Sequence, residues 1–211
     1  MKVPAPPAPL GPVNPYILAA GEVIHRIHDG NFTGNSFNPC RGQPTRFAPI
    51  TNPKNKCIPS LHAADSLQAA AFETVFHNIP AKARLTVVRL SNVQSRAHSE
   101  LELKRDITLA KLFQPDLKAL GITRARLMTS NAKHYGQTAL WAKAIHNQYH
   151  DIDGLIWTSN QCDPERAFLF FGDRVRAKDL KLVSTTKVLN SGVLLSRLRR
   201  IGARANIVIT T

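Results

Sequence analysis

One carboxylate in the sequence has neighbours that are unusual for a charged side chain. Glu73 follows Ala69 and Ala70 by one helical turn and precedes Phe76 and His77 by another. A solvated helix carboxylate normally has polar neighbours, whereas one among alanine and phenylalanine is desolvated and must be paired or functional. Glu73 is therefore a candidate catalytic residue. A surface position or a structural ion pair with an arginine is the alternative.

Three further side chains have types suited to binding a phosphorylated ligand. Ser159 ends the apolar segment 155–158 and precedes a polar loop, where functional residues collect. No Gly-x-Ser-x-Gly motif surrounds it, so the pattern favours a ligand-binding hydroxyl over a hydrolase nucleophile, with an ordinary turn serine as the alternative. Arg26 and Arg46 could bind a diphosphate through paired hydrogen bonds, which lysine cannot form. Among 28 lysines and arginines, either could also be a solvated surface charge.

The eight histidines do not have the spacing of a known metal motif. His25 and His28 form an H-x-x-H pair, and His146 and His150 lie four residues apart. Neither pair has the carboxylate of an H-E-x-x-H motif, and the sequence contains no C-x-x-C. We therefore predict no metal site. The sequence also lacks a Walker A loop and a Gly-x-Gly-x-x-Gly fingerprint, the usual signs of ATP and Rossmann dinucleotide binding.

Composition limits the class of protein and indicates an anionic partner. The 211 residues are 43% hydrophobic and 20% charged, a balance typical of one globular domain. The formal net charge is +14, so the chain is expected to meet nucleic acid, an acidic protein or a phosphorylated substrate. No apolar run reaches the roughly 20 residues of a membrane span. Cys40, Cys57 and Cys162 are an odd number without close spacing, which predicts no disulfide framework and favours a reducing cytoplasm.

The elements that must position these side chains alternate irregularly along the chain. Residues 1–15 are predicted to be a flexible Pro/Ala-rich leader before a single domain at 16–211, and 29–56 a long irregular segment. We predict strands at 22–27, 84–90, 105–109, 155–159 and 167–171, and helices at 67–76, 115–120 and 136–149. This order predicts an α+β fold in which helices pack against a mixed sheet.

Eight short motifs within residues 22–174 occur in an order that resembles the RES domain family, named for its Arg, Glu and Ser. They lie at 25–28, 37–39, 45–49, 58–64, 71–77, 105–109, 141–146 and 153–159. The resemblance places the family's Arg on Arg26, its Glu on Glu73 and its Ser on Ser159. Its second basic position falls on Arg46.

Two more residues, Phe47 and His62, are expected from the resemblance to bind substrate. The family usually has tyrosine at the position of His62. An imidazole is smaller than a phenol and titrates near pH 6.5, so this exchange is expected to retune dinucleotide binding and to add a pH dependence.

The resemblance also implies a fold related to ADP-ribosyltransferases and an enzyme that degrades NAD. The glycosidic bond to nicotinamide is cleaved by phosphorolysis or hydrolysis, so NAD is a substrate, inorganic phosphate is a co-substrate in the first case, and no metal or cofactor is needed. Such proteins usually act in the cytoplasm as the toxin of a toxin–antitoxin pair, here with an acidic antitoxin expected.

Two other classes of function remain open from the sequence. An ADP-ribosyltransferase that modifies a macromolecule would use the same pocket and differ only in the acceptor. A basic nucleic-acid-binding protein would explain the charge, but the chain has 7% aromatic residues, no recognised binding motif and basic residues spread along its length. Nucleic acid is therefore expected to bind weakly at most.

Overall fold

The structure, a computed structural model, describes residues 2–77, 79, 83–129 and 132–210. The strands in this part of the chain are β1 (Pro15–Leu18), β2 (Val23–Asp29), β3 (Ile50–Thr51), β4 (Cys57–Ile58), β5 (Ser60–Ala64), β6 (Thr86–Arg89), β7 (Arg96–Leu103), β8 (Ile107–Lys111), β9 (Gly154–Thr158), β10 (Arg166–Phe171), β11 (Leu180–Lys187) and β12 (Ile207–Thr210). The α-helices are α1 (Leu67–Phe72), α2 (Ser91–Gln94), α3 (Gln114–Ala119), α4 (Arg124–Leu127), α5 (Tyr135–Gln148) and α6 (Gly192–Ala203).

Eight of the strands form one mixed sheet, in the order β1-β8-β9-β10-β5-β2-β7-β11. β8 and β9 pair in parallel, and the other neighbours pair antiparallel. β2 and β5 share a single register pair, His25 with Ala64, so these two strands diverge beyond it. Arg26 on β2 and His62 on β5 both lie on the diverging side of that pair. The sheet therefore opens where the sequence places candidate site residues.

The buried strands at the centre of the sheet explain the most apolar part of the sequence. In β10, Leu169 and Phe171 pack in one hydrophobic cluster while Phe168 and Phe170 pack in another. All four side chains are fully buried, so the strand is apolar on both faces and shows no alternation. Helices α3 and α5 pack in the first cluster, and α1 and α6 pack in a third with the small parallel pair β6–β12. The predicted α+β class is confirmed.

Several boundaries differ from the sequence prediction. One missed strand is β7, whose polar residues fall in the stretch taken for a connection between two strands. It joins β2 to β11, and its alternate residues Ala97, Ser99, Leu101 and Leu103 are all buried. The tail after 181, without an assigned element in the prediction, contributes β11, α6 and β12.

The N-terminal stretch expected to be flexible packs against the domain. Val3 is 1% exposed and Leu10 is 6% exposed, both in the cluster that contains Trp141. The Trp141 indole N–H donates to the Pro4 carbonyl at 2.8 Å. The Gln148 side chain accepts from the Leu10 N–H and donates to the Leu10 carbonyl. Two apolar side chains and these hydrogen bonds hold a segment whose composition is typical of a leader.

The cysteines also differ from the prediction, because Cys40 and Cys57 form a disulfide. The hairpin β3–β4 turns the chain back, and the two Cα atoms lie 6.1 Å apart despite 17 residues of sequence separation. Cys162 is a buried free thiol. The expectation of a reducing cytoplasm rested on unpaired cysteines, so the disulfide removes that support.

None of the helices in the described residues is long and apolar enough to cross a membrane.

Candidate active site

The carboxylate of Glu73 is fixed by the hydroxyl of Ser159. α1 begins after Ser66, whose side chain accepts from the Ala69 N–H, and it ends at Phe72 instead of continuing to 76. Glu73 is thus the first residue beyond the helix, half-buried. Ser159 follows β9 and is fully buried, and its O–H donates to Glu73 Oε1 at 2.6 Å. Sequence elements 86 residues apart therefore meet in one hydrogen bond.

The guanidinium of Arg46 lies within electrostatic reach of this carboxylate. Burial lowers the pKa of Arg46, and the charges of Tyr135 and Glu73 act in the opposite direction. Arg46 Nη1 donates to the Leu127 carbonyl at 3.0 Å, and the guanidinium lies 5.2 Å from the centre of the Tyr135 ring. A planar cation held over an aromatic ring is preorganised to bind an anionic group.

Phe47 has a supporting position in the loop that carries Arg46. It has a φ of 69°, in the left-handed region, and its side chain is fully buried. The ring meets Trp157 edge-on with 5.2 Å between centroids, and its backbone N–H donates to Thr138 Oγ1 at 3.3 Å. Phe47 therefore anchors the loop that carries Arg46, and its role in binding substrate stays a prediction.

His62 contacts the same loop from β5. Its Nε2–H donates to the Arg46 carbonyl at 3.1 Å, and its ring lies edge-on to Trp157 with 6.5 Å between centroids. Burial, followed by the charges of Arg26 and Arg46, lowers the pKa of His62 to about 4. The ring is therefore neutral at physiological pH. The expected titration near pH 6.5 is wrong, because the imidazole is desolvated and the charges of two arginines act on it.

Arg26 lies on the diverging side of β2 and is bound to the loop that follows the strand. Its Nη1 donates to the carbonyls of Gly34 at 2.6 Å and Ser36 at 2.7 Å. Burial lowers the pKa of Arg26 to about 10, so the side chain remains charged at neutral pH. Its charge contributes to the low pKa of His62. The structure thus brings Arg26, His62, Arg46, Glu73 and Ser159 into one electrostatically coupled region.

Tyr135 is the site residue that the sequence analysis missed. It is the first residue of α5, one position before the predicted start of that helix, and it is 7% exposed. The side chain hydrogen-bonds to Arg46 as well as stacking beneath it. A tyrosine at a helix start carries no signal of its own in a single sequence, because contact with Arg46 arises only from the fold.

The buried neutral state of His62 predicts a loss of stability in acid. The unfolded chain binds a proton at His62 with a pKa of 6.5, whereas the folded chain binds it only near 4. As pH falls from about 6.5 to 4, this residue is expected to lower the free energy of unfolding by up to about 3 kcal/mol. The effect is absent above pH 7, where both states are neutral.

Denaturant unfolding between pH 4 and 8 measures this dependence. His62→Gln keeps an N–H donor for the Arg46 carbonyl and removes the titration, so its stability should fall less steeply in acid than that of the wild type. His150→Gln, at an exposed histidine, is the control and should follow the wild type. Parallel curves for the wild type and His62→Gln would contradict the assignment.

The fold and the site together define a class of protein. It is an α+β domain with a carboxylate–hydroxyl pair and two arginines beside an opening in its sheet. The family model of the RES domain matches residues 23–188, and the chain belongs to the RES domain family. Those bounds include Arg26, Glu73 and Ser159. No curated protein matches the chain.

Among solved structures, the chain is similar to a chain in the crystal structure of the M. tuberculosis MbcT–MbcA toxin–antitoxin complex. The sequence identity is 15% and the TM-score is 0.61. The match covers 87% of this chain and 92% of that chain. At this identity the similarity concerns the fold.

Proposed function

We propose that this protein cleaves the bond between nicotinamide and ribose in NAD and acts as the toxin of a toxin–antitoxin pair. The observation that carries the proposal is the position of the Glu73 carboxylate. It accepts a hydrogen bond from the Ser159 hydroxyl and interacts electrostatically with Arg46. Membership of the RES domain family supports it. The structural similarity to a toxin–antitoxin complex supports the biological role.

The chemistry requires stabilisation of positive charge on the ribose. When the glycosidic bond breaks, its electron pair leaves with the pyridinium nitrogen, giving neutral nicotinamide and an oxocarbenium-like ribose. The negative charge of Glu73 stabilises that cation, and the Ser159 hydrogen bond fixes where the charge lies. Attack by a phosphate oxygen then gives an ADP-ribose phosphate, whereas attack by water gives ADP-ribose and releases one proton.

The arginines supply the complementary charge for the rest of the substrate. NAD carries a pyrophosphate, and Arg26 and Arg46 are two cations whose charges both act on His62. The Arg46 guanidinium is stacked on Tyr135, so little side-chain entropy is lost when it binds an anion. The formal net charge of +14 attracts the dinucleotide and phosphate over longer distances.

Product analysis after incubation with NAD tests the proposal. We expect release of nicotinamide, and the second product separates the reactions: a phosphorylated ADP-ribose only in phosphate buffer indicates phosphorolysis, and free ADP-ribose in either buffer indicates hydrolysis. ADP-ribose attached to a macromolecule would indicate transfer. Unchanged NAD after long incubation with folded protein, with and without phosphate, would overturn the proposal.

The partner that we propose is an acidic antitoxin that covers the entrance near Arg46. A protein encoded beside this one is expected to present a complementary acidic face and to inhibit NAD loss.

Random duplex DNA should bind only weakly at physiological salt, with an affinity that falls steeply as salt rises. Tight binding to such DNA, together with undetectable NAD turnover, would favour the nucleic-acid function instead.

A further inference from the structure

Three side chains on two neighbouring strands form a cluster outside the proposed active site. His25 on β2 lies opposite Glu100 on β7, and His98 lies two residues before Glu100 on the same strand. Side chains two residues apart on a strand share a face, so the register brings all three together. Arg26, the next residue on β2, does not join them, because its guanidinium donates hydrogen bonds to the carbonyls of Gly34 and Ser36. His28, the other half of the H-x-x-H pair, contacts Ser99 and does not join the cluster.

The donor atoms of this cluster converge on one point. His25 Nδ1 and His98 Nε2 are 3.0 Å apart, and His25 Nδ1 lies 3.8 Å from Glu100 Oε1. One atom from each residue lies within 4.8 Å of the other two. In a tetrahedral zinc site, ligand bonds of about 2.0–2.2 Å separate neighbouring donors by about 3.3 Å. The two imidazole rings are nearly parallel, with 5.2 Å between centroids and 6° between planes, so both must turn to direct these nitrogens at one ion.

The carboxylate of Glu100 is already oriented by a second residue. Ser184 on β11, the next strand of the sheet, donates its hydroxyl to Glu100 Oε2 at 3.0 Å. That bond leaves Oε1 as the oxygen that faces His25. Metal-binding carboxylates and histidines are typically held in this way by hydrogen bonds from outside the ligand set.

A cavity next to His25 leaves space for a further ligand. Its volume is about 400 Å³, and Ser66, Gln68, Glu165 and Arg197 contribute to its lining together with His25. Three protein ligands and an open fourth position are the arrangement of zinc sites that bind water or another small ligand. The nearby charges are mixed: Arg197, Arg200 and Arg204 line the cavity and oppose a cation, whereas Glu165 and Asp65 add to the favourable charge of Glu100.

We propose that His25, His98 and Glu100 bind a divalent transition-metal ion, with Zn²⁺ the ion that best matches two imidazoles and one carboxylate. Binding replaces the hydrogen bond between the two histidines. The protons of His25 and His98 then reside on their outer nitrogens, Nε2 and Nδ1, so two neutral rings bind the ion without losing a proton to solvent. The site is separate from the NAD-cleaving residues and does not depend on that proposed function.

Metal binding by the full chain, treated with a chelator and dialysed, tests this site. Equilibrium dialysis against Zn²⁺ is expected to give one ion per chain with a dissociation constant at or below micromolar. Co²⁺ should give the intense visible absorption of a four-coordinate complex. Zn²⁺ should also raise the unfolding temperature, because the ion binds only the folded chain.

Variants separate this site from the general affinity of histidines for metals. Glu100→Gln keeps the shape and is expected to weaken Zn²⁺ binding about 10- to 100-fold, and His98→Ala should abolish the Co²⁺ absorption. Ser184→Ala should weaken binding about 10-fold, in the range seen when outer hydrogen bonds are removed. His150→Ala is the control and should bind as the wild type does. No saturable Zn²⁺ binding by the wild type, or equal binding by Glu100→Gln and the wild type, would overturn the proposal.

Discussion

Glu73→Gln is expected to lower the rate of NAD cleavage by about 10²–10³-fold, the cost of removing one preorganised charge from a transition state. The amide has the shape of the carboxylate and can still accept the Ser159 hydrogen bond at the Oε1 position. Only the negative charge is lost, and with it the stabilisation of the developing ribose cation. The Michaelis constant should change much less than the turnover number, because the ribose cation that Glu73 stabilises is absent from bound NAD and forms only in the transition state.

The assay is nicotinamide release under saturating NAD, compared with thermal unfolding of the same preparations. Glu102→Gln is the matched control, since Glu102 pairs with Lys181 at the surface and the same charge is removed. Ser159→Ala leaves the Glu73 charge in place but frees its position, so a smaller loss of about 10-fold is expected. Turnover by Glu73→Gln close to that of Glu102→Gln would remove Glu73 from the mechanism.

The sequence predicts most accurately the local setting of the residues in the family-like motifs. Glu73 was singled out because its neighbours are apolar, and the structure gives the reason: α1 is buried along its length and ends one residue before the carboxylate. Ser159 was expected at a strand end and lies there. Their contact could not be predicted, because 86 residues separate them and only the packing of α1 against β2, β5 and β10 closes the distance.

The features that the sequence does not reveal depend on pairing between distant strands. The polar residues of β7 do not look like a central strand, since His98, Ser99 and Glu100 are buried or half-buried only because β2 and β11 cover them on both sides. The cluster with His25 is hidden for the same reason. In the sequence His25 and His28 form an H-x-x-H pair, but a strand places residues three apart on opposite faces.

The Cys40–Cys57 pair shows the converse case, in which a loop of ordinary composition has a defined path. The segment between these cysteines carries Arg46 and Phe47 and was predicted to be irregular. Buried Phe47, the β3–β4 hairpin and the disulfide all fix it. Side chains with ordinary sequence signals therefore hold Arg46 within electrostatic reach of Glu73.

Arg46→Gln is expected to weaken NAD binding by about 10- to 100-fold, because hydrogen bonds between an arginine and a phosphate are charge-assisted. Arg46→Lys keeps the charge and loses both the planar pair of donors and the stacking on Tyr135, so an intermediate loss is expected. Calorimetric titration of NAD measures these affinities without turnover when each change is made in the Glu73→Gln background. Arg41→Gln, at an exposed arginine of the same loop, removes an equal charge and should bind NAD as its parent does.

The comparison between these two arginines separates a specific contact from the general field of the protein. If the charge of +14 acted only as a long-range attraction, removing either arginine would have the same small effect, and high salt would erase it. A half-buried guanidinium on Tyr135 is screened less than an exposed one, so the loss in Arg46→Gln should persist at 0.5 M salt. Equal NAD affinities for Arg46→Gln and Arg41→Gln, with both variants folded, would place the pyrophosphate away from Arg46 and would leave Arg26 as the cation to test beside Glu73.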